Sequence, residues 1–224
     1  MLKKLRFLPI VCAAFVMFSI GVSAEIVDGE VTEETRAIAY QDISRQRSTA
    51  AKDEILKARE EVAHTESWVA DGAEAQVVDM RTGEVLEELP EFHDIFPEDW
   101  DIPVADVVDE SDNSVPAISA RANVWRGAIN IPKAGSAVAS PALAIPVVIT
   151  NNTFSFYPTY FSSSTTTSCN VRYTNADTGW YLAHKEYLSP YTALIYKQYG
   201  TYRMGVGVST HSNPGFGSFM ADIY

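Results

Sequence analysis

The chain has 224 residues, 46% hydrophobic and 21% charged, with 17 Lys and Arg against 29 Asp and Glu. That is length for one ordinary domain or two small ones, and the composition excludes wholesale disorder and collagen-like fibre. Two cysteines exclude a disulfide-stapled scaffold, and a net charge of −12 argues against nucleic acid as a partner.

The first element is a targeting pattern. Lys3, Lys4 and Arg6 precede an apolar run from Phe7 to Val22, and Val22-Ser23-Ala24 ends it before Glu25. A basic start, a short apolar run and a small-residue end make residues 1–24 a secretory signal peptide, cleaved after Ala24. A retained N-terminal anchor is the alternative, disfavoured because Pro9 and Gly21 interrupt a run that is short for a spanning helix. Residues 9–11 before Cys12 lack the small-residue pattern of a lipidated cysteine. The remaining chain carries 14 basic and 29 acidic residues, net −15, and keeps only Cys169, which leaves no intramolecular disulfide. It is expected to be secreted and extracellular, with no stable membrane span once the signal is removed.

Residues 25–105 read as an acidic helix-plus-hairpin region. Thr32 is a helix N-cap, with Glu33 and Glu34 at the positive pole of the dipole. Ala51, Ile55, Ala58 and Val62 share one helix face, which continues upstream only through Ser48 and Ser44. So thin a stripe docks on a surface rather than forming a long coiled coil. His64 suits the negative pole. Residues 76–86, two apolar runs around Asp79-Met80-Arg81-Thr82-Gly83, read as a hairpin. Over these few residues the helix and hairpin resemble the small PepSY-type modules of secreted precursors. Pro90, Pro97 and Pro103 then forbid a continuous helix or central strand. Phe92, Ile95, Phe96 and Trp100 make that stretch too apolar for a free linker, and it is expected to lie on a surface, that of the C-terminal domain.

Residues 106–120 contain Asp109-Glu110-Ser111-Asp112-Asn113-Ser114 and read as a linker. Charge divides there: residues 25–120 carry a net −19, residues 121–224 a net +4. The C-terminal part reads as eight short strands: 124–131, 143–150, 153–161, 169–173, 180–188, 191–199, 202–209 and 216–224, with turn residues between them. That spacing predicts an all-β domain over 121–224, an antiparallel β-sandwich of Greek-key or jelly-roll-like form.

Chemistry is sparse. Cys169 with His184 and His211 fits no known spacing for a thiol nucleophile, and a lone strand cysteine is more often core. There is no Gly-x-Ser-x-Gly elbow. Glu61 and His64 lie one helical turn apart, but a di-metal bundle needs that motif twice. Asp109, Ser111 and Asn113 begin like a calcium loop that lacks its glycine and distal Glu. Gly205 and Gly207 sit in a strand pattern and make no phosphate loop. The Ser/Thr-rich stretch 154–169 lacks the apolar alternation of a pore-forming hairpin over 162–168, and Ser218 and Asp222 interrupt the alternate positions before Tyr224 that an outer-membrane barrel needs. No cofactor and no catalytic or metal residue is indicated.

The aromatics are the remaining lead. In two-faced strands some must point outward, where Tyr and Trp stack on sugars or anchor protein contacts. Trp180, Tyr181, Tyr187, Tyr191 and Tyr199 are the candidate ligand contacts, for an extracellular glycan or protein. The expected function is a secreted, non-enzymatic binding or surface-interaction protein. Two alternatives are a precursor whose acidic half shields a membrane- or competitor-directed β module, and a secreted hydrolase built from Asp177, Glu186, Asp222, His184 and His211.

Overall fold

A computed structural model describes residues 31–45, 48–105, 122–131, 138–139, 153–162, 168–197, 204–210 and 215–223. The expected signal peptide, the linker 106–120, the strand 143–150, Tyr199 and His211 lie outside these residues.

The front of the chain is helical, in two pieces rather than the expected one. Helix α1 spans Glu33–Ala39 and begins at Thr32, whose hydroxyl accepts from the Thr35 amide at 3.1 Å. Helix α2 spans Thr49–Ala63. Between them Asp42 Oδ1 accepts from both the amide (2.8 Å) and hydroxyl (2.6 Å) of Ser44. Such a side-chain turn competes with helical hydrogen bonding and breaks the rod. A 3-10 turn at Ile43–Arg45 follows. Ile55, Ala58 and Val62 are buried, as the periodicity predicted, and Arg59 is buried with them.

The rest is mostly β, in two antiparallel sheets consistent with the expected β-sandwich. In chain order the strands are β1 (Trp68–Val69), β2 (Glu74–Asp79), β3 (Val85–Glu88), β4 (Ala122–Ile131), β5 (Val138–Ala139), β6 (Thr153–Phe161), β7 (Cys169–Asn175), β8 (Tyr181–Leu188), β9 (Thr192–Lys197), β10 (Met204–Ser209) and β11 (Gly215–Ile223). One sheet runs β1-β8-β7-β10-β5, the other β3-β2-β9-β6-β11-β4. A short helix α3 (Phe92–Ile95) sits between β3 and β4. Pro158 is tolerated inside β6 because its ladder to β9 stops at Phe156↔Leu194 and its register with β11 shifts beside it.

The hairpin of the acidic region is not a separate body. Strand β2 pairs with β9 from Glu74↔Lys197 to Asp79↔Thr192, and β1 pairs with β8 through Trp68↔His184 and Val69↔Ala183. Segments on both sides of 106–120 therefore share both sheets. The physical reason is that β8 and β9 would otherwise be edges with unpaired backbone groups. Ala75 and Val77 add side chains to the same core as Phe154, Val171, Leu194 and Val206. Within that core Phe154 of one sheet meets Tyr173 of the other edge-on at 5.2 Å. The buried Tyr173 hydroxyl donates to the Leu194 carbonyl at 2.7 Å, which satisfies its polar end across the sheets.

A second apolar cluster lies outside the five-stranded sheet. There α1, α2 and residues 92–104 cover β1 and β8, with Trp68, Phe92, Phe96 and Trp100 all buried. Trp68 meets Phe92 at 4.9 Å, Phe92 meets Phe96 at 4.8 Å, and Phe96 stacks on Trp100 at 4.9 Å. The Trp68 indole donates to the Ala63 carbonyl at 2.8 Å. The proline-broken stretch thus lies on the β surface as its aromatics require, with only Ile95 of the four exposed.

Candidate functional site

Strand β8 separates the expected contact residues by running its full length between them. Trp180 precedes it and Tyr187 lies near its far end, seven residues on, or about 23 Å at the rise of an extended strand. Trp180 is 43% exposed on a turn built by Asn175, whose Oδ1 accepts from the amides of Asp177 (2.9 Å) and Thr178 (3.2 Å). Tyr181, next to it, is only 6% exposed. It lies beneath the end of α2, its ring 5.0 Å from that of His64, so it is a packing residue and not a free contact.

The other end of β8 gathers the exposed tyrosines. Tyr187 is 60% and Tyr191 54% exposed, on either side of the Leu188-Ser189-Pro190 crossing from one sheet to the other. Tyr160, absent from the expected set, is 56% exposed on β6 at the same end. The Tyr191 amide donates to the Pro158 carbonyl at 3.0 Å, which ties this crossing to the end of β6. Both Tyr187 (φ 55°) and Tyr191 (φ 67°) occupy the left-handed backbone region, costly for a residue with a side chain. Neighbours impose it. The Tyr187 amide is held by Asn170 Oδ1 at 3.2 Å, and the Tyr191 carbonyl accepts from the Met80 amide at 2.8 Å.

The tip of the β2–β3 hairpin completes this end. The Arg81 guanidinium lies 5.9 Å from the Tyr191 ring centre, in cation–π range. It is fixed there by Asp79, which accepts from Arg81 Nε at 3.1 Å and Nη2 at 2.7 Å. Those side-chain bonds, with the Arg81 amide, hold the Asp79 carboxyl down at about 2.

The remaining chemistry-bearing residues have structural partners. The Cys169 thiol is buried, donates to the Leu188 carbonyl at 3.7 Å, and has its pKa pushed well up by burial, the reverse of an activated nucleophile. Asp177 lies on the Trp180 turn, His184 beneath α2, and Asp222 is buried in the other sheet, so these three of the hydrolase set are scattered. Among the described residues no group of three or more His, Cys, Asp and Glu is placed to hold a metal. At Gly205 a Cβ would collide with Thr174 Oγ1, its cross-strand partner, so this glycine serves strand packing. A groove of ≈ 1060 Å³ crosses β2 and β9, lined by Glu74, Gln76, Glu88, Glu91, Asp94 and Lys197 among others, without an aromatic wall.

The buried His64 and His184 and the half-buried Arg172 form a polar cluster between α2 and the five-stranded sheet. Arg172 Nη1 donates to His64 Nε2 at 3.4 Å, and the two imidazoles lie 5.3 Å apart. His184 Nδ1 is 2.7 Å from the Glu66 carbonyl, and the Arg172 guanidinium covers the Tyr181 ring at 5.5 Å. Sequence reasoning placed His64 at a helix pole and one turn from Glu61, and gave no sign of Arg172 or His184 beside it. No family model, curated protein or solved structure matches the chain, and the likeness of its hairpin to PepSY-type modules does not extend to a family match.

Proposed function

We propose that this protein is exported and acts outside the cell as a non-enzymatic binding module, contacting a glycan or protein through the tyrosine end of its sheets. The signal-like residues 1–24 support export. The strand orders β4-β11-β6-β9 and β5-β10-β7-β8 support a jelly-roll form made of two Greek keys, to which β1, β2 and β3 are added at the edges.

The observation that carries the reading is the pair of solvent-facing tyrosines held at positive φ. Glycine would be the least strained residue at each, so the large side chains are kept at a cost in stability. Tyr160 and Arg81 extend the same surface, and rigid aromatic groups of this kind are the usual anchors of a contact. Trp180, at the opposite end, does not belong to this set. Release of residues 25–105 would strip β1 and β2 from the sheets, so the precursor reading is not carried forward.

The test is binding of the intact protein to glycan and cell-envelope arrays. Tyr187→Gly and Tyr191→Gly should each weaken binding by roughly tenfold, the 1–2 kcal/mol scale of a contact residue, while leaving thermal stability unchanged or raised. An array on which the intact protein retains nothing, or Gly variants that bind as before, would overturn it.

A further inference from the structure

We propose that the seat of α2 on the five-stranded sheet is an acid-operated latch, in which protonation of His64 against Arg172 frees α1 and α2 from the sheet.

The geometry makes the two states incompatible. In the seated state Arg172 Nη1 donates to His64 Nε2, so that nitrogen must present a lone pair. A proton there would set one N–H donor against another and one cation against another, with the His184 ring 5.3 Å away. His64 is almost wholly buried and Arg172 half-buried, so water screens the clash only weakly. The residue is also the C-cap of α2, so moving its ring moves the end of the helix.

The surrounding groups fix the direction. From α2 the helix's negative pole favours a cation on His64, Glu60 lies within charge range of Arg172, and from the following turn Glu66 presents its carbonyl to His184. From β7 comes Arg172, and from β8 come His184 and Tyr181. Arg59 and Asp99 form a separate pair. The balance falls against the cation: burial, then Arg172, then His184 hold His64 well below its usual 6.5. Its folded-state pKa is depressed, so the unfolded chain takes up the proton first. The histidine contribution is complete above 6.5 and is lost as pH falls below it. Burial raises the Glu60 carboxyl, and its protonation on acidification acts in the opposite sense.

Hydrogen–deuterium exchange of the full chain at pH 7.5 and 5.0, corrected for intrinsic rates, reads the latch directly. Amides of α1 and α2 should lose at least about tenfold in protection at pH 5.0, one pKa unit of suppression being a factor of ten. Amides of β7 and β10 should hold. H64Q, which keeps an acceptor for Arg172 and does not titrate, should stay protected at both values. E60Q should deepen the acid loss, and R172Q should move it to lower pH and serve as the deciding variant if H64Q does not fold. Equal protection of the wild type at both pH values, simultaneous loss in helices and sheets, or a wild-type pH response in H64Q or R172Q would overturn the proposal.

Discussion

Arg59 shows how one side chain can organise a layer. Nearly all of it is buried, and its guanidinium donates to three backbone carbonyls, those of Asp99 (2.7 Å), Gln41 (2.8 Å) and Ala39 (3.0 Å). It also lies over the Trp100 ring at 5.4 Å. It thus closes the break between α1 and α2 and pins the proline-broken segment to both. Arg59→Met keeps the apolar stem but removes all three bonds, one of them fully buried at the Ala39 carbonyl and two part-buried. Urea unfolding should show a loss of about 3 kcal/mol, and a loss under about 0.5 kcal/mol, the range of a surface change, would refute this role. The sequence did carry the signal: Ile55, Ala58, Val62 and Ala63 surround position 59 on the helix face, which places the arginine inside the apolar stripe. Asp79 was legible only as a turn residue, because its bond to Arg81 depends on where the hairpin tip lands. Its carboxyl sits at about 2 instead of 3.8, so its stabilising contribution exists above 3.8 and disappears as pH falls toward 2. The stability difference between the wild type and Asp79→Asn should be constant above pH 4 and vanish near pH 2 in a pH series of thermal melts. A difference unchanged at pH 2 would separate it from this ion pair.

At the scale of elements, the strands of the back half were readable because their alternation and turn residues are local. Cys169, Val171 and Tyr173 face inward as the period of two requires, and Asn175 opens the turn that its side chain stabilises. The membership of the hairpin was not readable. The register that joins Glu74 to Lys197 spans 123 positions, and nothing within residues 74–79 announces a distant partner. The helix break was missed for a related reason. Asp42 and Ser44 compete with the helix through hydrogen bonds that only a folded turn reveals. Among the tyrosines, alternation said that some must be outside but not which. The burial of Tyr181 depends on a helix more than a hundred residues away, docked over it.

At the scale of the molecule, the opposed charges of the two parts take on a different meaning. Ion pairs cross between them, Lys197 with Glu74 at 2.7 Å and Lys185 with Glu87 at 3.0 Å, and the Lys185 ammonium also reaches the Ser67 hydroxyl at 3.1 Å. Exposed pairs add little stability, but these mark where acidic and basic segments meet within shared sheets. A protease site inserted after Asp112 should therefore yield two pieces that co-elute in native size exclusion and part only in denaturant. Pieces that separate on cutting would contradict the sheet pairing. The six-stranded sheet adds a constraint of its own. The place between the edge strand β4 and β6 belongs to β11, the last of the described strands. Under the export proposed above, a chain threaded outward from its amino end would hold β4 without its β11 partner until residues 215–223 had crossed. Because its pairings are so distant in sequence, the chain should fold at the slow pace of high-contact-order proteins, and on the proposed export route folding would follow translocation rather than accompany it. If export follows the proposed route, the secretion apparatus would meet an extended passenger throughout.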